Sequence, residues 1–555
     1  MNRLIKYGYS ILYVSVFFSC QNRKEDILNK TDAEKHVSSV WVSDNGDGSY
    51  KNPILHADYS DPDVIRVGDD FFMTASSFNA SPSLPILHSK DLVNWTIVNH
   101  ALSGLTPISF FDKPQHGKGV WAPSIRYHNE EFFIYWGDPD FGVFMVKTKD
   151  PFGNWEKPVK VLDGKGIIDP CPLWDEDGKT YLITAWAASR SGINSILTVW
   201  EMNSEGTEVV SEGKHVYDGH DNNHTVEGPK LFQREGKYYI FAPAGGVANG
   251  WQLVLRSDCI WGPYEEKIVL AQGNTSVNGP HQGTLVETQT NESWFIHFQD
   301  KGFYGRILHL QPVEWGNGWP VIGIDSDGNG CGEPVLTHKK PDVGKEWAVC
   351  MPQESDEFNN GALGPQWQWA ANQNIKWYVS LPGKNYLRLL AYPTTEEYQR
   401  LWDVPNLLLQ KFPAPSFTAT TKMKLTIEWD AKEGKKAGLI ITGNDYAYLS
   451  LKKNGKGFIL SQILCKDANT GGEEETIESV QLESETVCLR VEVKAPEGKC
   501  DFYYSENETE FRPIGIAHYA KPELWIGSKI GLFCVMESGD RKGSYADFDW
   551  FRITK

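Results

Sequence analysis

The chain has 555 residues, length enough for three to four domains at about 150 residues each, which excludes a peptide or a small disulfide scaffold. Its 54 Lys and Arg stand against 72 Asp and Glu, a net charge of -18 with no basic run, which argues against a protein that tracks a phosphate backbone. The 21 Trp, 23 Tyr and 26 Phe beside 51 Gly and 30 Pro suit many short strands and tight turns, and aromatic faces on an acidic protein suit neutral polar ligands such as sugars.

At the N-terminus, Arg3 and Lys6 precede an apolar stretch from Tyr7 to Phe18 that ends at Ser19-Cys20. Residues 1–19 read as a secretory signal to be excluded from the fold. A small residue directly before Cys resembles a bacterial lipoprotein cleavage site, which makes Cys20 the lipidated N-terminus and places the protein in the cell envelope, in the periplasm or at the outer-membrane surface. The alternatives are an ordinary signal peptide or a short membrane anchor, but the run falls short of the ~20 residues a spanning helix needs. Residues 20–45 read as a linker. The other eight cysteines, Cys171, Cys259, Cys331, Cys350, Cys465, Cys488, Cys500 and Cys534, include no CxxC pair, so a thiolate zinc site is not expected. Export permits disulfides, whose pairing spacing does not reveal.

From there one pattern recurs five times: a polar turn, two bulky residues and an apolar run. The turns open at Gly68, Asn129, Asp177, Glu235 and Asn291, and the second bulky residues are Phe72, Phe133, Tyr181, Tyr239 and Phe295. Each spacing leaves room for four short strands. Five units, none able to bury its faces alone, predict a five-bladed β-propeller over residues 46–340; five unrelated hairpins of a sandwich are the alternative.

A short strand precedes each turn, and its opening residue is Asp61, Ala122, Asp169, Glu227 or His281. The innermost strands of a propeller run side by side around the axis, so these positions converge at one end of the channel. Three carboxylates and a histidine thereby become neighbours, and Trp121 reaches the same mouth. Period-two alternation places Asp63 on the face of Asp61, where it either shifts the properties of Asp61 or caps a turn.

Beyond about residue 345 the repeat stops. Segments such as Ala437-Gly-Leu-Ile-Ile-Thr and Tyr446-Ala-Tyr-Leu-Ser-Leu alternate with period two, predicting a β-sandwich over 352–555 and an all-β protein. Trp367, Trp369 and Trp377 serve either as core or as platforms for polysaccharide. Asp325-Ser-Asp-Gly-Asn-Gly starts like an EF-hand loop, but its twelfth position is Leu336 instead of Glu, so a Gly-rich turn is expected.

Two carboxyls meeting in a cleft suit glycosidic cleavage, in which an acid protonates the leaving oxygen and a second carboxylate activates water or attacks directly. A third nearby raises the acid by like-charge repulsion. The strings Asn52-Pro-Ile-Leu, Tyr59-Ser-Asp-Pro-Asp-Val, Trp121-Ala-Pro-Ser, Ile168-Asp-Pro, Glu227-Gly-Pro, His281-Gln-Gly, Gly305-Arg306 and Gln311-Pro-Val-Glu-Trp resemble family 43 glycoside hydrolases, in order over about residues 50 to 335. The resemblance implies inversion of configuration, with Asp61 as general base, Glu227 as general acid and Asp169 as the residue tuning it. It also implies that Arg306 contacts sugar hydroxyls and that His281 sits at the pocket floor, where some members hold calcium or a water cluster. No cofactor is required; a structural calcium is the one metal expectation.

The ending Tyr545-Ala-Asp-Phe-Asp-Trp-Phe resembles the concanavalin-like, jelly-roll sandwich that accompanies exo-acting members, in which a sandwich loop helps close the pocket. Together with Leu84-Pro-Ile-Leu-His-Ser-Lys-Asp-Leu-Val-Asn-Trp it favours the β-xylosidase and α-L-arabinofuranosidase branch. The expected partner is plant cell-wall carbohydrate, with release of terminal β-D-xylose or α-L-arabinofuranose. Several alternatives stay open: an invertase-like retaining enzyme, a lipid-anchored glycan-binding protein without catalysis, an ion-pair role for Arg306, a core role for Trp121, and for His281 a core, metal-ligand or substrate-contact role.

Overall fold

In a computed structural model, residues 36–393, 400–427, 434–536 and 544–555 are described. The signal-peptide and Cys20 expectations lie outside them. Five four-stranded antiparallel sheets follow one another in the chain, each in sequence order from the axis outward: Asp63–Val67 to Trp95–Leu102, Trp121–His128 to Val159–Leu162, Ile167–Trp174 to Lys214–Asp218, Lys230–Arg234 to Glu265–Leu270, and His281–Glu287 to Trp319–Ile322. They are the five blades of a propeller.

The recurring turns join the first and second strands of the blades. In Asn129-Glu130 and in Glu235-Gly236 both central residues have positive φ, the two-residue geometry that matches strand twist and that polar or glycine residues accept. The bulky pairs after them enter second strands that are covered on both faces by neighbouring blades. Phe132 to Asp138 is therefore buried without a break, a continuous apolar run where a one-sided strand would alternate. The outermost strands, such as Lys214–Asp218, carry exposed charged residues, which blunts the open edges.

Closure comes from the chain ends of the propeller. Ser49–Lys51 pairs antiparallel with Thr337–Lys339. Buried Asn52 donates through Nδ2 to the Leu310 and Val335 carbonyls, both at 2.8 Å, and accepts from Leu310 N–H at 2.9 Å. Asn52→Ala strands Leu310 N–H and the Val335 carbonyl, while Tyr50 Oη still donates to the Leu310 carbonyl at 2.8 Å, and at about 1–3 kcal/mol for each buried unsatisfied group the expected loss is about 3 kcal/mol, read by urea denaturation. A loss below 1 kcal/mol would contradict the closing role.

The expected linker is part of the fold from residue 38 onward. Ser43 is fully buried, Trp41 and Val42 pack on the propeller core, and the His36 carbonyl accepts from Met351 N–H at 2.8 Å. The propeller meets the polar groups of this segment: Ser43 Oγ donates to the Val93 carbonyl at 3.2 Å, and Asp44 pairs with Lys340 Nζ at 2.6 Å and accepts from Asn94 Nδ2 at 2.9 Å.

The C-terminal unit is a β-sandwich of two eight-stranded sheets among the described residues. One sheet runs from Gln368–Trp369 across Lys529–Met536 to Glu474–Leu482, the other from Tyr378–Ser380 across Tyr545–Thr554 to Arg512–Pro513. Trp367, Trp369 and Trp377 are at most 2 % exposed within its core, so they are packing residues and not platforms. Among the described residues Cys171, Cys259, Cys331, Cys465, Cys488, Cys500 and Cys534 form no disulfide. Asp325 accepts from Gly328, Asn329 and Gly330 N–H groups, which makes the EF-hand lookalike a self-closed turn.

Propeller and sandwich are packed together. Asn79 Nδ2 donates to the Ala370 carbonyl at 2.6 Å, Asn372 exchanges two hydrogen bonds with the Leu105 backbone, and Tyr304 Oη donates to the Pro415 carbonyl at 2.7 Å.

Candidate active site

Each inner strand carries one residue with positive φ near the same mouth of the channel: Asp61 (55°), Ala122 (34°), Asp169 (55°), Gly228 (58°) and Gln282 (33°). In three blades the pairing register shifts at that place, the mark of a β-bulge that re-aims a side chain. Left-handed backbone at Asp and Gln is uncommon and is held by its surroundings. Blades four and five put the left-handed residue one position after Glu227 and His281, so the five expected positions are not strictly equivalent. The two offset residues pack on each other: a Cβ at Gly228 would meet the Gln282 side chain at 2.7 Å.

Asp61 is 4 % exposed and fully engaged. Its Oδ2 accepts from Ser60 Oγ at 2.7 Å and Ser76 Oγ at 2.6 Å, and its Oδ1 accepts from Arg306 Nη1 at 3.0 Å. These donors fix its orientation in a manner that complements a carboxylate. Ser76 Oγ in turn accepts from Ala122 N–H at 2.7 Å, tying the first blade to the second. Arg306 therefore forms the structural ion pair and also faces the mouth: the same Nη1 reaches Ser60 Oγ at 2.7 Å, and its guanidinium lies 4.6 Å from the Phe298 ring and 5.5 Å from the Trp525 ring.

Asp169 accepts from Gly228 N–H at 2.7 Å, which links it to the strand of Glu227. Burial, and next the charge of Glu227, push its carboxyl well above the ordinary value of 3.8; Asp61 adds to the rise, while Gly228 N–H and Lys230 oppose it. The three carboxylates are thus within electrostatic reach of one another, and the site holds a proton where an isolated aspartate has lost it. A carboxyl raised in the folded state contributes stability that is complete below the unfolded value of 3.8 and lost as pH rises through the raised folded value. Asp169→Asn is expected to gain stability relative to the unaltered protein as pH rises above 4, by about 1.4 kcal/mol for each pH unit inside that window. Urea melts at a series of pH values read it, and a difference independent of pH would contradict the rise.

Glu227 projects into the mouth with its side chain 34 % exposed, and fully buried His281 donates from Nε2 to its Oε1 at 3.1 Å. That bond holds the carboxyl through one of its two oxygens. His281, expected as metal ligand, substrate contact or core residue, is here the partner of Glu227. Among the described residues no group of three or more His, Cys, Asp or Glu could hold a metal ion.

Asp63 does not join the site. Fully buried, its Oδ2 accepts from Ile125 N–H at 2.7 Å and Arg126 Nη1 at 2.6 Å, with Lys230 Nζ at 4.0 Å. Two residues from a left-handed Asp61, simple alternation no longer applies. Trp121 is half-buried at the mouth, its Nε1 donating to the Gly117 carbonyl at 2.9 Å and its ring facing the Arg190 guanidinium at 5.5 Å. One ring face is taken.

The sequence did not single out three further groups. Asp138, buried at the end of the second strand of blade two, is pushed up to about 7, by burial first. Asp140 accepts from Arg190 at 3.3 Å. Trp525 comes from the sandwich, so its place could be drawn only from the expectation that a sandwich loop reaches the pocket.

Known proteins resemble this chain over both of its units. Residues 50–320 match the family described as Glycosyl hydrolases family 43, and residues 355–554 match the one described as Beta xylosidase C-terminal Concanavalin A-like domain. A candidate beta-xylosidase of Xylanibacter ruminicola is 37% identical over 497 residues, 89% of this chain and 88% of its own. A beta-xylosidase of Formosa agariphila is 32% identical, with 98% and 96% covered. A non-reducing end alpha-L-arabinofuranosidase of Bacteroides ovatus is 28% identical, with 91% and 94% covered. The crystal structure of a xylan beta-1,4-xylosidase from Bacillus halodurans C-125 superposes with a TM-score of 0.79 at 26% identity, covering 91% of this chain and all of that one.

Proposed function

The chain belongs to glycoside hydrolase family 43 and is a glycosidase, and from that premise we propose that it removes single pentose units, β-D-xylose or α-L-arabinofuranose, from the non-reducing ends of plant cell-wall oligosaccharides. Hydrolysis of this kind proceeds with inversion and requires no cofactor. The observation that carries the proposal is the meeting of Asp61, Asp169 and Glu227 at one channel mouth, each held by different donors.

Differently held carboxyls can take different roles. Asp61, fixed by two hydroxyls and a guanidinium, takes the proton from an attacking water as general base. Glu227, steadied at Oε1 by His281, delivers a proton to the leaving oxygen from its other oxygen. Asp169, pushed up by burial and by the charge of Glu227, shares a proton with Glu227 as a coupled pair, and the acid step uses the state in which Glu227 carries it. Arg306 orients Asp61 and offers its guanidinium to sugar hydroxyls.

Exo-action is supported by Trp525, which the sandwich holds over the Arg306 side of the mouth. Product analysis of reducing-end-labelled xylo-oligosaccharides tests the reading. Stepwise loss of one sugar with free pentose supports it; mid-chain products overturn exo-action, and binding without product identifies a glycan-binding protein. Export as a lipoprotein through Cys20 is part of the same proposal, supported by the charges at Arg3 and Lys6 and the apolar run before Ser19. Labelling of intact cells with a radioactive fatty acid checks it, and an unlabelled protein would exclude the anchor.

A further inference from the structure

The turn from Glu523 to Gly527, on the sandwich, crosses the channel mouth and is tied to the propeller at both ends. At its far end Gly527 N–H donates to Asp58 Oδ2 at 2.9 Å, while the other oxygen of Asp58 accepts from Arg306 N–H, also at 2.9 Å. That bridge needs Gly305, where a Cβ would lie 2.3 Å from Asp58 Cγ. At its near end Glu523, its side chain 8 % exposed, meets His116 Nδ1 at 2.8 Å. Glu523 N–H closes the turn on the Ile526 carbonyl at 2.8 Å. Trp525 stands between the two ties in a left-handed conformation, 44 % exposed, with Arg306 against its ring.

His116 does more than accept a neighbour. Its ring stacks on Trp402 of the sandwich with centroids 3.7 Å apart and planes 13° from parallel. Nε2 points at the Trp402 carbonyl at 3.1 Å. Both ring nitrogens therefore face sandwich oxygens. Burial by itself would raise the Glu523 carboxyl, but His116, and beyond it Lys529, holds it below the ordinary range. The next residue, Gly117, touches Leu524 and accepts from Trp121 Nε1. One propeller loop thus joins the turn that bears Trp525 to the ring of Trp121.

We propose that His116, clamped between Glu523 and Trp402, is a positioning residue of the glycosidase, holding the strap 523–527 so that Trp525 covers the Arg306 side of the pocket and sets affinity for the terminal sugar. The inference rests on the proposed exo-glycosidase reading. His116 touches none of Asp61, Asp169 or Glu227 in any hydrogen bond among the described residues, so its effect passes through the strap.

The test is a double-mutant cycle of His116→Ala and Trp525→Ala, with kcat and KM measured on whichever of an aryl β-D-xyloside and an aryl α-L-arabinofuranoside the unaltered protein hydrolyses faster. His116→Ala is expected to raise KM about tenfold and change kcat less than about threefold, because it loosens binding and leaves the reacting groups in place. In the Trp525→Ala background it is expected to add nothing, since residues that act as a unit are not additive. Glu523→Gln, which keeps the volume and removes the ion pair, runs the same cycle should His116→Ala fold poorly, and it is expected to reproduce the rise in KM. Additive effects, or an unchanged KM in both the His116 and Glu523 variants, would overturn the inference while leaving the glycosidase reading intact. No turnover by the unaltered protein would instead overturn that reading and the inference with it.

Discussion

Asp61→Asn is expected to lower kcat/KM by about 10⁴-fold on every substrate, the upper range for loss of a general base. The reason lies in the order of events: water must lose its proton whether the departing group is a sugar or an activated phenol. Leaving-group ability therefore cannot rescue the variant. Asparagine retains an acceptor for Ser76 and Ser60, but it leaves Arg306 without its carboxylate partner in a pair whose side chains are 8 % and 6 % exposed. Removing one member of a buried pair costs about 3–5 kcal/mol at most, so thermal melting accompanies the kinetics to separate lost chemistry from lost fold. Activity retained in a folded variant would remove Asp61 from its role. Asp63 could not readily replace it, since its Oδ2 is committed to Ile125 N–H and Arg126.

Glu227→Gln has a different signature. Hydrolysis of xylobiose, whose leaving alkoxide needs a proton, is expected to fall by about 10³-fold or more, whereas an aryl glycoside with an acidic phenol should lose about tenfold or less. Glutamine preserves the acceptor for His281 Nε2, so the hydrogen bond at 3.1 Å and the packing around it persist. Only the transferable proton is lost. Equal losses on both substrates would show that Glu227 supports binding or structure and does not protonate the leaving group.

The repeat was legible because it rests on local chemistry. Left-handed two-residue turns require polar or glycine residues, and second strands buried on both faces require unbroken bulky runs, so Asn129-Glu-Glu-Phe-Phe and Glu235-Gly-Lys-Tyr-Tyr announce blades. Convergence of Asp61, Asp169 and Glu227 followed from the symmetry of a propeller, with no further information needed. What escaped was set by tertiary contacts. The one-residue offset at Gly228 and Gln282 depends on how two blades pack, and the burial of Asp63 against Arg126 depends on a bend created by Asp61. His116 and Glu523 are brought together across two domains, and neither sits in a pattern that marks it. Residues 36–45 looked like a linker because the partners of Ser43 and Asp44, the Val93 carbonyl and the Asn94 and Lys340 side chains, lie far along the chain.

The central claim is that Asp61 and Glu227 act on opposite sides of the sugar, one through water and one on the leaving oxygen. Time-resolved proton NMR of the purified protein with an aryl β-D-xyloside and an aryl α-L-arabinofuranoside reads this directly, because the anomeric configuration of the first product is visible before mutarotation. The pentose is expected to appear first with the opposite configuration, as α-D-xylose or β-L-arabinose. First appearance of the retained anomer would contradict it, since Asp61 or another carboxylate would then be attacking the sugar itself.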